Sequence, residues 1–527
     1  MQQVKTVIRR LNKVHIRIDL EEYANLWIVR LFQSYVAPAA LYLLAAAVIG
    51  LNVRLMFDNV LWGDEAFSAN TIKTYWAGIL EISYYADNHP PLYYYWAKVC
   101  AQLFGYTVPV YHLASLIPFI LGILFAVTIL REHYGKLPAA LFVMISGLGS
   151  SCLEYNQEVR MYSLAFFFIL LAYYSSSRVM SGKRGAWAGM VLFGIAAAYT
   201  HYYGLVTAGL LIFVTGAVYW LRYRGKTWRR GLAALVLFIA AYLPWLRFLF
   251  HSMSTEGRNW WNTEVLAFRD SLKMLFGTAG MCRPLALLFL ILLMIILAAE
   301  SSFFHAQKKE GETYVRIGVP SVKGWSDQTW SLMIGLVTVA GVLIFAYLLC
   351  ALYAAILAQR YLYPTSAIVF LMLVMECSRG LELCADLSEK SGKEFMERLG
   401  KGALLLFLAV LLVIGIRNYG TWSTKVNEEK TATEATLTLI GDPDPDTVLV
   451  NSGVTHLGWT VLSYYYPDNE VENAGYQDIE ADRYWYFTST WLTEDDFNAL
   501  TEAGYVLYGY GEQQISKYTF VLYYFER

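Results

Sequence analysis

What most constrains this chain is the way charge interrupts its apolar runs. Eleven apolar windows lie near 35–56, 110–130, 137–153, 161–179, 186–200, 203–221, 231–250, 284–300, 330–352, 361–378 and 402–417. Each approaches the roughly 17–25 residues that a helix needs to cross a bilayer core of ~30 Å. The connections between them alternate. The N-terminal segment, "REHYGK" (131–136), "SRVMSGKRG" (177–185), "RYRGKTWRR" (222–230), the 305–324 loop and the 379–401 loop are rich in Lys and Arg. The intervening "EYNQEVR", "THYYG", "HSMSTEGRNWWNTE" and "AQRYLYP" are basic-poor and rich in aromatic and polar residues. Basic loops stay in the cytoplasm, so the first set is expected inside and the second outside. Eleven crossings give a cytoplasmic N-terminus and an extracytoplasmic C-terminus. A mean hydropathy of +0.40 fits this multi-pass membrane class. A net charge of −1 offers nucleic acid no electrostatic footing.

The alternation also settles how to treat "PPLYYYWAKVCAQLFGY" (90–106). Counted as a span, it would put "RYRGKTWRR" on the outer face. It is therefore expected to be an interfacial or re-entrant helix within one long outer loop, 57–109, with its Tyr and Trp at headgroup level. Residues 1–34 are basic and lack a short apolar signal core, so they are expected to be a retained cytoplasmic lead-in. Residues 35–417 form the transmembrane domain. After Arg417 the apolar windows cease, and 418–527 is expected to be an extracytoplasmic α/β domain. It has strand-like runs at 447–453 and 518–526, and a helix begins at Thr493 with an acidic first turn. Its Tyr and Trp are either ordinary strand and core aromatics or platforms for sugars. The six cysteines are scattered without zinc-ligand spacing and are expected to behave as small apolar residues.

The polar residues most costly to keep near lipid map to the expected outer side. Asp64, Glu65, Asp87, His89, Glu154, Glu158, Arg160, His201 and Arg360 all lie there. Asp64 and Glu65 are adjacent, so on a helix they point ~100° apart and would serve different partners. "GDEAFS" is also consistent with a plain helix start that favours acidic residues. In "DNHPPL", Pro90 or Pro91 suits a first helical turn, which would aim free N–H groups at whatever His89 faces. Arg160 and Arg360, each at an outer span end, suit an oxyanion, and a salt bridge from Arg160 to Glu158 is the alternative. Glu158, Tyr162, His201 and Tyr361 are candidates to line a substrate cavity. His201 is more readily a satisfied buried imidazole than a ligand. A metal site is not expected, with His89 and His201 the residues to hold one otherwise.

In this order, "GDEAFS", "HPPLYY", "QEVRMY" and "QRYLYP" resemble the membrane glycosyltransferases of the GT-C fold. The group most similar is glycosyltransferase family 39, with the protein O-mannosyltransferases, aminoarabinose transferases and RgtA-like enzymes. The resemblance covers about 1–420 and implies a sugar donor on a polyprenyl phosphate, membrane lipid as its medium, and a hydroxyl acceptor on a lipid, protein or cell-envelope polymer. It places the essential first-loop acid on Asp64 with Glu65 as companion. The phosphate-binding residues it implies are Arg160, Arg360 and His89. No cofactor is required, and a divalent cation is compatible. Aminoarabinose transferases carry a carboxylate and a lysine before the proline, where this chain has Asn88 and His89, so it looks closer to the mannosyltransferase pattern. The chemistry agrees independently: a carboxylate to deprotonate a hydroxyl, and cations to hold a departing phosphate, are what inverting transfer needs. Two other classes use some of these residues. A transporter or flippase of a lipid-linked sugar needs the cations without the base, and a non-catalytic surface-polymer assembly protein needs only the tail. The first class would favour internal repeats and midplane charges, and neither is evident.

Overall fold

The structure, a computed structural model, describes residues 37–259, 264–277, 279–301, 304–309, 312–317, 321–391 and 394–527. The basic lead-in 1–34 lies outside them, as do residues 310–311 and 318–320 of the 305–324 loop. Helices α1 (Ala37–Leu55), α2 (Gly63–Lys73), α3 (Trp76–Tyr85) and α4 (Leu92–Phe104) come first. α5 (Val108–Phe125), α6 (Lys136–Leu148), α7 (Tyr162–Met180), α8 (Ala186–Ala198), α9 (Tyr202–Tyr223), α10 (Trp228–Tyr242) and α11 (Leu246–Asn259) follow. α12 (Phe268–Leu275), α13 (Ala279–Glu300), α14 (Asp327–Leu352), α15 (Tyr363–Ser391) and α16 (Phe395–Ile440) complete the apolar part. Strands β1 (Phe304–Lys309) and β2 (Glu312–Ile317) pair as an antiparallel hairpin between α13 and α14.

Helix occupies every one of the eleven apolar windows. Among the described residues, seven helical stretches are long and apolar enough to cross a membrane, with α1, α6 and α8 as shorter apolar helices. The chain is a polytopic α-helical membrane protein. α4, within 90–106, has 13 residues. At ~1.5 Å per residue it spans about 20 Å, short of the ~30 Å core.

The packing follows from the small residues on the helix faces. α9 and α10 meet at Gly216 and Gly231, where an added Cβ would lie within 3 Å of the other glycine's Cα. Bulk there would force the pair apart.

The C-terminal part is a five-stranded mixed sheet in the order β4-β3-β5-β7-β6. Its strands are β3 (Val448–Ser452), β4 (Val471–Asn473), β5 (Arg483–Thr488), β6 (Val506–Ile515) and β7 (Tyr518–Glu526). β3 runs parallel to β4 and β5, and β7 antiparallel to β5 and β6. Helix α17 (Glu494–Glu502) begins at Thr493, which caps the Asp496 N–H while the Asp496 carboxylate accepts from the Thr493 N–H. That reciprocal cap explains a helix start legible in the sequence. α16 is continuous for 46 residues, through position 417 and on to Ile440.

Two parts of the sheet domain grip the N-terminal end of α2. The β6–β7 turn brings up Tyr518, whose hydroxyl accepts from the Gly63 N–H at 3.0 Å. A π-helical turn, Leu457–Leu462, packs along α2, and Asn70 donates to the Thr460 carbonyl at 3.2 Å. A Cβ at Gly63 would stand 2.6 Å from both the His456 Cβ and the Tyr518 hydroxyl. The glycine of "GDEAFS" is what lets the two parts meet.

Candidate active site

Asp64 lies in the first turn of α2 and pairs with Arg360 at 2.9 Å, each side chain about one-fifth exposed. Arg160 sits deeper, on the irregular segment before α7, and is buried. It donates to Ser68 Oγ at 3.3 Å and Tyr94 Oη at 3.1 Å, and lies 3.2 Å from His89 Nδ1. Asp87 stands behind this layer, accepting from Tyr94 Oη at 2.6 Å and lying 2.9 Å from the same imidazole nitrogen. Two carboxylates and two guanidiniums therefore balance in one cluster.

The electrostatics follow from that balance. Burial pushes the Asp64 carboxyl up, but the neighbouring Arg160 and Arg360 charges outweigh it and hold it below its ordinary range. Burial likewise raises Asp87, yet His89, Arg160 and the Tyr94 hydroxyl bring it down to about 2. Burial also lowers His89, against the pull of Asp87. With an ionised Asp87 accepting, Nδ1 carries the proton and Nε2 is the acceptor nitrogen of a neutral ring.

Glu65 turns away from Asp64, as adjacency on a helix requires. Its two oxygens accept from the Val159 N–H at 2.9 Å and the Trp62 N–H at 3.2 Å. It ties the start of α2 to the loop that presents Arg160. Burial raises it to about 7, against those backbone bonds. Glu158 points into a separate small pocket behind α2 that it shares with Glu65, Glu154, His112 and Lys517. Among the described residues its Oε2 has no hydrogen-bond partner, and it forms no salt bridge with Arg160. Burial raises Glu158 to about 8, offset in part by Arg360 and Lys517.

These two glutamates give a signed pH prediction. Both have folded values above the unfolded ~4.3, so the native state binds the extra protons between about pH 5 and 8. Stability is present in full below about pH 5 and is lost as pH rises through 7 to 8, by ~1.4 kcal/mol per pH unit for each group at most. Thermal unfolding followed from pH 5.5 to 8.5 should show a falling midpoint, and Glu158→Gln should flatten the slope. An equally steep slope in that variant would rule out Glu158 as its source.

The site faces two adjacent cavities. A polar chamber is lined by Asp64, Asp87, His89, Arg160, Arg360 and Tyr361, and also by Phe67, His456, Trp459 and Thr460. An apolar cavity shares Asn88, His89 and Tyr361 with it and runs between α9, α11 and α14. Met253, Phe345 and Tyr353 on its rim are exposed. Of the expected cavity residues, Tyr361 lines both spaces and His201 the apolar one. Tyr162 is buried, with its ring against His201, and lines neither. His201 caps α9, its Nδ1 accepting from the Tyr203 N–H at 3.0 Å. Burial, reinforced by the nearby charges of Arg160 and Arg360, holds it well below its usual range. No group of three or more His, Cys, Asp or Glu among the described residues is arranged to hold a metal ion. At α4, the Leu92 N–H is spent on the Tyr199 carbonyl at 3.1 Å, so the helix N-terminus does not line the polar chamber as the proline motif suggested.

The sequence reading missed His456, Trp459 and Thr460. They lie about 390 residues from Asp64 in the chain, and no local pattern in "GVTHLGWTV" marks them.

A polytopic helical domain with a sheet domain seated on the helix that carries Asp64 and Glu65 is the fold of this chain. Solved structures of ArnT from Cupriavidus metallidurans share it. The apo form matches with a TM-score of 0.57 at 13% identity, over 93% of this chain and 98% of that one. The form bound to undecaprenyl phosphate matches with a TM-score of 0.56 at 13% identity, over 92% and 98%. No protein-family model and no curated protein matches the chain. Coverage of this extent cannot be confined to residues 1–420, so the structural likeness reaches well into the C-terminal domain, further than the sequence resemblance.

Proposed function

We propose that the chain is an inverting glycosyltransferase that moves a sugar from a polyprenyl phosphate to a hydroxyl acceptor, a member of the family 39 group. The observation that carries this reading is a charged chamber lying beside an apolar cavity, with Asn88, His89 and Tyr361 in the lining of both. A lipid phosphate is itself charged at one end and apolar along its length. The cavity between α9, α11 and α14 suits the polyprenyl tail, and Arg160 with Arg360 suits the phosphate. The likeness in fold to ArnT, one structure of which holds undecaprenyl phosphate, supports it. By the charge alternation of the loops, the chamber and the sheet domain lie on the extracytoplasmic face, and 35–417 and 418–527 are the transmembrane and outer domains.

In this mechanism Asp64 takes the proton of the acceptor hydroxyl as its oxygen attacks the anomeric carbon. The bond from that carbon to the phosphate oxygen breaks with inversion, and the phosphate leaves onto the guanidiniums. Asp64 paired with Arg360 is a weak base. A phosphate that draws Arg360 toward itself, and offsets the charge of Arg160, weakens the two charges holding Asp64 low and raises its basicity, so donor binding arms the base. Glu65 positions the loop. The acceptor hydroxyl belongs to a lipid, a protein or a cell-envelope polymer.

Purified full-length protein in lipid nanodiscs, incubated with polyprenyl-phosphate sugars and a panel of hydroxyl acceptors, should release free polyprenyl phosphate and glycosylated product by mass spectrometry. Binding without release from any donor would favour a carrier of lipid-linked sugars instead.

A further inference from the structure

We infer that the Leu457–Leu462 turn of the sheet domain is the carbohydrate-recognition wall of the chamber, with Trp459 as the platform on which a pyranose ring stacks. This rests on the glycosyl-transfer reading and adds to it the residues that grip the sugar.

Three observations support it. The chamber has two unlike sets of lining residues. Asp64, Arg160 and Arg360 supply charge, while His456, Trp459 and Thr460 of the sheet domain, with Phe67 of α2, supply rings and uncharged polar groups. A phosphate is served by the first set, whereas a sugar ring needs an apolar face with polar groups at its edge, and the second set supplies both.

Trp459 is also presented rather than packed away. It is 54% exposed, and the Phe67 ring meets it edge-on, with centroids 5.8 Å apart and planes at 86°. An indole braced in a T-shaped contact with half of its surface exposed offers ring area to a ligand at little entropic cost.

The third observation is the backbone at the start of the turn. His456 has φ 63° and ψ 3°, the left-handed region that few non-glycine residues occupy, histidine among those that enter it more readily. The strain sits where β3 ends and the π-helical turn begins, and the turn that follows places Trp459 in the chamber. His456 touches the one glycine of "GDEAFS" that allows the approach. The sheet domain is thereby fixed in register with the catalytic helix, which a recognition wall requires and a loosely tethered domain would not.

The ring on Trp459 belongs either to the sugar being transferred or to a sugar on the acceptor. The chemistry of the platform is the same, and the two are separable by kinetics. Full-length wild type, Trp459→Ala and Trp459→Phe would be compared in nanodiscs for donor hydrolysis by water and for transfer to a saccharide acceptor. Trp459→Ala should raise one KM by about five- to tenfold, with Trp459→Phe restoring most of it. A rise in donor KM in both assays assigns the ring to the donor, and a rise in acceptor KM alone assigns it to the acceptor. Unchanged KM values in both assays overturn the inference.

A second measurement separates this from a failure of the transfer reading. Saturation-transfer NMR with methyl pyranosides of mannose, glucose and galactose needs no turnover. Contact seen with wild type and with Asp64→Asn, and lost with Trp459→Ala, supports the platform even in a protein that transfers nothing. No contact in any of the three refutes it. Trp459 is half-exposed, so its truncation leaves the fold intact, and an unchanged unfolding midpoint verifies this for each variant.

Discussion

Asp64→Asn should reduce kcat by about 10²–10⁴-fold, the usual contribution of a positioned general base, while the protein inserts and folds normally. Asparagine has the shape of aspartate but cannot accept the proton. The variant also releases Arg360 from its 2.9 Å ion pair. A guanidinium freed in this way binds the donor phosphate at least as well, so the donor KM should hold or fall as kcat collapses. That split distinguishes a base from a merely structural residue, whose loss would lower stability and raise KM together. Asp64 and Arg360 are each about one-fifth exposed, so water can solvate the remaining partner and the stability cost should stay within about 1 kcal/mol. Turnover near the wild-type rate would sink the assignment.

The second large effect belongs to Arg160 and is expected in stability as well as activity. Arg160 is 4% exposed and binds Ser68 and Tyr94 beside His89 and Asp87. Arg160→Gln leaves the buried Asp87 carboxylate facing an imidazole and a phenol with its nearest full positive charge gone. Breaking a buried charge cluster from one side costs about 3–5 kcal/mol. The unfolding midpoint should therefore fall sharply, and polyprenyl-phosphate binding should be lost with it. Arg360→Gln is the control. It removes the more exposed cation, so the midpoint should barely move while donor affinity drops. Thermal unfolding and donor titration of both variants side by side test this, and equal midpoints would show that Arg160 is not the hub.

What could be read from the sequence depended on the range of each interaction. Membrane character was legible because lipid reads hydropathy residue by residue, and helix fills all eleven windows. The adjacency of Asp64 and Glu65 was enough to part their roles, and the structure sends Glu65 to the Val159 N–H. Glu158 was harder. The helical turn Ser150–Tyr155 ends before it and the chain turns irregularly to Tyr162, so no helix periodicity says which way it faces. His201 as a helix cap is unusual, since the residues that normally signal a cap are Ser, Thr, Asp and Asn. The far wall of the chamber was not legible. Gly63 meets Tyr518 across 455 positions and Asn70 meets Thr460 across 390, and no periodicity in a single sequence encodes such pairings.

The uninterrupted α16 has a mechanical consequence. At 46 residues it is a rod of about 69 Å. Its C-terminal half is bolted to the sheet domain, where Thr433 Oγ1 accepts from the Ser516 N–H and Thr436 Oγ1 donates to the Gln514 carbonyl. Nearer its middle, Lys430 reaches the Phe57 carbonyl a few residues before α2. The rod thus carries the sheet domain on the same rigid helix that packs among the apolar helices, and adds a second anchor to the contacts at Gly63 and Asn70. One residue inserted between 418 and 430 would turn everything above it by ~100° and swing the wall off the site.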